Sequence, residues 1–207
     1  MPRAFIKKSL IHACKEIRES PYDPKVWVAR AGTMVKLGYC ELAIADAYKA
    51  LLLTNALMNF EAVGAEGGKL YFRVYSAMVK NIPQLKQVPL QEFFGSKEKM
   101  KILSEVVCAY RKLAVIAMIS GLQSIRAWDD VTQVLEDALK RSPNDSLLAR
   151  KLESNKKNME GLKRDFKTRG MDDATVAKTI KRGLVKKLPY PWIVPEELAR
   201  SNTAIKR

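Results

Sequence analysis

The sequence predicts an all-α protein: a short array of antiparallel helix pairs followed by a basic helical and extended tail. Three observations carry this reading. Small and apolar residues recur at helical spacing through most of the chain, and period-two runs of Val, Ile and Thr are almost absent. Of the 207 residues, 47% are hydrophobic, Ala, Leu, Lys and Glu are abundant, and glycine occurs only ten times. Residues 24–55 read as one complete helix–turn–helix unit, which cannot bury its apolar face alone and must stack on neighbours. A chain of this length suffices for one good core or a short repeat array.

The elements follow in order. Ala4 to Glu19 alternates charged and apolar residues as an amphipathic helix does, and Ser20-Pro21 ends it. It lacks the apolar core and small-residue cleavage site of a signal peptide, and Glu16 and Glu19 argue against a mitochondrial address. Asp23-Pro24 starts the next helix: the aspartate accepts from free amides, and proline fits a first turn that needs no N–H. Trp27, Ala31 and Met34 form its apolar face. Gly38, in Leu37-Gly38-Tyr39, supplies the left-handed backbone of a tight turn. Glu41 begins the second helix, with Ala43, Ala47, Ala50 and Leu51 inward. The small residues Ala31, Ala43 and Ala50 let two helices approach closely.

Beyond this unit, Glu61 to Lys69 contains glycines and superficially suggests a phosphate loop. Val63 stands where the first glycine belongs and Leu70 where a magnesium-holding Ser or Thr belongs, so a turn or helix break is expected. Residues 70–82 predict a helix with Leu70, Tyr71, Val74, Ala77 and Met78 inward. Pro83 and Pro89 predict a loop insertion over about 81–97, either lying across a groove or tolerated on the surface. A short helix starts at Asp172-Asp173, and Tyr190-Pro191-Trp192 lies in an extended, proline-rich segment, an internal strap or a docking segment for another chain.

The 24–55 unit resembles a tetratricopeptide repeat, in its large, glycine and small positions together. Residues 112–143 resemble a second copy: Trp128 matches Tyr39, Leu135, Ala138 and Leu139 match Ala47, Ala50 and Leu51, and Pro143 closes the unit. Arg126 replaces Gly38 and Val131 replaces Ala43, which suggests a distorted hairpin. Ala4 to Glu19 resembles the second helix of an incomplete earlier repeat, and Ser146 to Phe166 the helix that covers a last repeat. Ser20-Pro21-Tyr22-Asp23-Pro24, Leu37-Gly38-Tyr39, Leu42-Ala43 and Tyr190-Pro191-Trp192 further resemble the repeat regions ahead of SET methyltransferase domains in some fungal proteins. No Asn-His-Ser-Cys-like motif or zinc cysteines accompany them, so the resemblance implies at most a remnant or regulatory fragment of that enzyme type. Some members of the tetratricopeptide family clamp chaperone tails through charged residues. The matching places here, Val28, Gly32, Leu113, Ile116, Ala117 and Ser120, cannot do so.

Catalysis and metal binding find little support. One histidine, His12, and no sharp glycine-flanked serine argue against a Ser-His-Asp set. The acid pairs Asp129-Asp130, Asp172-Asp173 and Glu196-Glu197 stand at predicted helix starts, where they offset the helix dipole. Cys14, Cys40 and Cys108 are far apart and odd in number. They read as core residues in a reducing compartment, with no pair at ligand spacing. The apolar run Leu113–Leu122 is too short to span a bilayer. The net charge is +15, and residues 140–207 hold 18 Lys and Arg against 8 Asp and Glu. Such a field suits an acidic protein or nucleic acid, or is a solvated face. Phe166 is the only aromatic from 144 to 189, so base stacking finds little support.

The resulting expectation is a non-catalytic scaffold without cofactor or metal, cytoplasmic or nuclear. A helical domain over 1–166 would bind a protein or acidic peptide in the groove that the repeat resemblance implies, and 167–207 would be a basic tail. The expected partner-binding residues are Arg30, Thr33, Lys36 and Tyr39 from the first hairpin, with Lys112, Gln123 and Arg126 from the second. The alternative is a nucleic-acid-associated protein using the basic C-terminal third.

Overall fold

The computed structural model describes residues 3–58, 64–86 and 88–180, and every regular element among them is an α-helix. α1 (Arg3–Glu19) leads into a hairpin of α2 (Pro24–Leu37) and α3 (Cys40–Met58). Asp23 caps α2 as its chemistry requires, its Oδ1 accepting from the Lys25 amide at 2.9 Å. Gly38 closes α2 at φ +85°, with its N–H donating to the Val35 carbonyl and the Tyr39 N–H to the Met34 carbonyl. Ala31, Ala43, Ala47, Ala50 and Leu51 are fully buried between the helices.

A second hairpin repeats this chemistry 88 residues later. α6 (Lys97–Ser124) turns into α7 (Trp128–Arg141), with Arg126 at φ +60° in the place of Gly38. The Arg126 N–H donates to Gln123 and the Ala127 N–H to Leu122, the same pattern as in the first turn. The hairpin expected to be distorted therefore keeps its turn, and the left-handed backbone costs a non-glycine residue about 1 kcal/mol. The positive-φ residue fixes the register, so Ala127, not Trp128, corresponds to Tyr39. Trp128 opens α7 as Cys40 opens α3. In that register Val131, Leu135 and Ala138 are buried like Ala43, Ala47 and Ala50. Ile119 takes the place of Ala31, also without exposed surface.

Further sequence expectations need correction. The second hairpin does not begin at Lys112, because α6 is continuous from Lys97, where the Ser96 hydroxyl accepts from the Lys99 amide. The described residues among 81–97 are not a surface loop. Pro83 and Pro89 exclude one long helix, but turns bury Ile82 and Leu85, and the short helix α5 (Leu90–Gly95) buries Phe93. The preceding α4 starts at Gly64, earlier than expected, and runs to Val79.

Two apolar clusters result. One gathers α2, α3, α7 and the C-terminal half of α6, with Leu51, Met118, Leu122 and Leu135 at its centre. The other joins the end of α3, α4, α5 and the N-terminal half of α6, with Val74, Met78, Phe93 and Val107. Tyr75 and Phe93 meet edge-on there, 4.8 Å between ring centres. The Asn81 amide donates to Asp23 Oδ2 at 2.6 Å and ties this insertion to the first hairpin. Burial pushes the Asp23 carboxyl above its ordinary pKa. α6 packs on both α2 and α3, as a second hairpin stacked on a first must. Gly121 makes this possible: a Cβ there would lie 2.8 Å from Ile44 Cγ1 and 3.0 Å from the Cys40 carbonyl oxygen.

α8 (Ser146–Thr168) covers α7, and α9 (Asp173–Ile180) folds back on α8 with Val176 and Ile180 buried. Asn155, buried on α8, donates to the Trp128 carbonyl and the Thr132 hydroxyl at 3.0 and 2.9 Å. Asn155→Ala removes both of these hydrogen bonds from the α7–α8 contact, while the Trp128 carbonyl keeps the Thr132 hydroxyl as a donor at 3.2 Å, and is expected to cost about 1 kcal/mol in urea unfolding. Proteolysis should then cut first within α8. Cys108 is exposed, contrary to its reading as a core residue, whereas Cys14 and Cys40 are half-buried. His12 is exposed beside Glu16. No helix among the described residues is long and apolar enough to cross a membrane. The Tyr190-Pro191-Trp192 segment and the tail from 181 lie outside the described residues.

Candidate functional site: the hairpin turn and the groove beside α8

The seven residues expected to bind a partner do not form one surface. Arg30 is engaged inside the fold. Its Nε and Nη2 donate to the two carboxylate oxygens of buried Asp46, both at 2.7 Å, and its guanidinium lies 5.2 Å from the Trp27 ring centre. Asp46 holds the Arg30 pKa above its already high ordinary value. In the second hairpin the corresponding positions are Met118 and Val134, both without exposed surface. The Thr33 hydroxyl donates back to the Ala29 carbonyl within its own helix. Lys112 Nζ pairs with Asp145 at 2.8 Å, and Asp145 also caps α8 through the Leu147 and Leu148 amides. These donors, Lys112 foremost, hold the Asp145 carboxyl below its ordinary pKa.

The other four lie at the turn ends of the two hairpins: Lys36 and Tyr39 in the first, Gln123 and Arg126 in the second. Lys112 is about 16 Å from Gln123 along the axis of α6. Lys36 and Arg126 have no ion-pair partner among the described residues, and the Tyr39 side chain is exposed.

Arg126 also borders a groove of about 580 Å³ between the second turn and the α8–α9 pair. Its apolar wall is Trp128, Leu162, Phe166 and Ile180; Arg126 and Arg169 bring positive charge, and Asp165 is the one carboxylate among the described lining residues. Phe166 and Leu162 share one face of α8 at i,i+4 spacing, and Trp128 reaches them from the first residue of α7. Asp172 builds the α9 side: its carboxylate accepts from the Thr175 amide and hydroxyl at 2.9 and 2.7 Å, which lowers its pKa. The helix that follows sets Thr179 and Ile180 at the groove.

On the opposite side of α9, Lys163, Arg164 and Lys167 line a second groove of about 600 Å³. Lys167 pairs with Asp173 at 3.0 Å, whereas Lys163 and Arg164 have no ion pair among the described residues. Sequence reasoning found Arg126 but missed Trp128, Leu162, Phe166 and Arg169 as one set. Their signal, an apolar stripe on a basic helix, is the same as that of a plain covering helix.

Comparison with protein-family models, with curated proteins and with solved structures gave no match. The tetratricopeptide resemblance therefore rests on this chain's residues, and the SET-related one partly on residues outside those described.

Proposed function

We propose that this chain is a non-catalytic protein-binding module of tetratricopeptide type, and that it takes an acidic peptide with an apolar side chain in the groove between the second hairpin turn and α8–α9. The observation that carries the reading is the composition of that groove. Trp128, Leu162 and Phe166 offer half-buried apolar surface beside the exposed charges of Arg126 and Arg169. Arginine beside aromatic surface suits a carboxylate-bearing segment that buries one large apolar residue. Lys36 and Tyr39 would extend the contact along the first turn.

A second reading, nucleic-acid association, is favoured by Lys163 and Arg164, which have no ion pair among the described residues, and by the charge of the C-terminal third. Fluorescence anisotropy separates the two. The probes are an acidic peptide with one Phe, the same peptide with Phe replaced by Ser, and a single-stranded oligonucleotide, each at 50 and 300 mM salt. The Phe peptide should bind best and persist at the higher salt, with Arg126→Glu/Arg169→Glu weakening it at least tenfold. Equal binding of both peptides, with tighter oligonucleotide binding that collapses at 300 mM, would replace the groove reading with the electrostatic one.

A further inference from the structure

Arg111 lies within α6 and is only 6% exposed, yet it forms no ion pair among the described residues. Its Nη1 meets only a weak acceptor, the Met58 thioether, at 3.5 Å, and its Nη2 has no hydrogen-bond partner. A guanidinium buried this deeply costs free energy unless an anion compensates it. The nearest acid in the lining is already engaged, since Asp145 accepts from Lys112 and from two α8 amides. Arg141 adds positive charge. Burial first and Arg141 second bring the Arg111 pKa down to about 10, which leaves it charged at neutral pH.

Beside this side chain is a cavity of about 230 Å³ lined by Arg111, Lys112, Arg141, Ser142 and Asp145 among apolar side chains. At about 30 Å³ per water, it holds a tetrahedral oxyanion and several waters. Among the described lining residues, the carboxylate of Asp145 is taken by Lys112, so the Arg111 guanidinium is the charge that an oxyanion would neutralise. The guanidinium fork matches two phosphate oxygens at once.

We propose that this cavity binds a phosphate-type oxyanion, free or carried on a phosphorylated side chain, with the Arg111 guanidinium as its principal donor. This site is independent of the groove at Arg126. A ligand that binds only the folded chain raises its unfolding temperature.

The test follows thermal unfolding and phosphate ³¹P line width in chloride buffer, with inorganic phosphate added at constant ionic strength. Saturating phosphate should raise the unfolding temperature by about 5 °C and broaden the phosphorus line. Arg111→Met should fold without phosphate at least as stably as the parent and lose both responses. If Arg111→Met does not fold, Arg111→Lys, which keeps the charge and loses the fork, should bind phosphate at least tenfold more weakly by line width. Tighter binding of a phosphoserine peptide assigns the anion to a phosphoprotein, and tighter binding of inorganic phosphate assigns it to the free ion. A parent response no larger than that to added chloride, an undiminished response in Arg111→Met, or unchanged affinity in Arg111→Lys overturns the site.

Discussion

Arg30→Ala is expected to destabilise the fold by about 3–5 kcal/mol, because it strands the buried Asp46 carboxylate, which has no other ion pair among the described residues. The stronger form of the experiment restores stability without restoring charge. The second hairpin solves the same packing problem with Met118 and Val134. Arg30→Met/Asp46→Val copies that pair and is expected to unfold at the parent's urea midpoint or above it, since well-packed apolar pairs commonly equal or exceed buried ion pairs. Circular dichroism at 222 nm reads both variants. A double variant as unstable as Arg30→Ala would mean that Arg30 stabilises through Trp27 and through the Cys14 sulfur of α1, to which its Nη1 donates at 3.8 Å, rather than through Asp46. The result also bears on function: lost partner binding in Arg30→Ala would report unfolding rather than a missing contact.

Gly121→Val should cost roughly 2–3 kcal/mol, the second largest effect expected. The added Cβ would meet Ile44 Cγ1 and, less yieldingly, the backbone oxygen of Cys40, so α6 must move away from α3. Ile44→Ala introduced alongside removes one of the two clashes. The double variant should therefore lose less than the sum of the singles, with a coupling of about 0.5 kcal/mol or more in a double-mutant cycle. Strict additivity would show that the two hairpins do not depend on this close approach.

The first hairpin was legible because each of its signals is local. Asp23-Pro24 caps, Gly38 turns, and alanines at helical spacing mark the inner face. The second is legible in outline but one residue out of register, since Trp128 has the look of a turn aromatic while the positive φ of Arg126 sets the register. Residues 81–97 are harder to read because proline reports where a helix must stop, not whether the residues between prolines find a core; Leu85 and Phe93 do. The candidate site was harder. Arg30 and Lys112 look like solvent-facing cations in a helical pattern, and only their partners, 16 and 33 residues away in sequence, show them engaged inside the fold. Arg111 gave no signal in sequence, because a missing counter-charge is a property of the packed neighbourhood.

The insertion between the hairpins also changes how the chain must reach its fold. In an ordinary repeat array, successive units are adjacent in sequence, and structure spreads from one neighbour to the next. Here some fifty residues separate the end of α3 from the part of α6 that stacks on it. Closing a loop of that size costs about 2 kcal/mol more entropy than joining units through a few residues. Because α6 runs unbroken through both apolar clusters, the insertion and the second hairpin share one rod, and the native ordering of either end aligns the other. The folding nucleus is therefore expected at α3, α4 and the first half of α6, with the repeat-like stack consolidating afterwards.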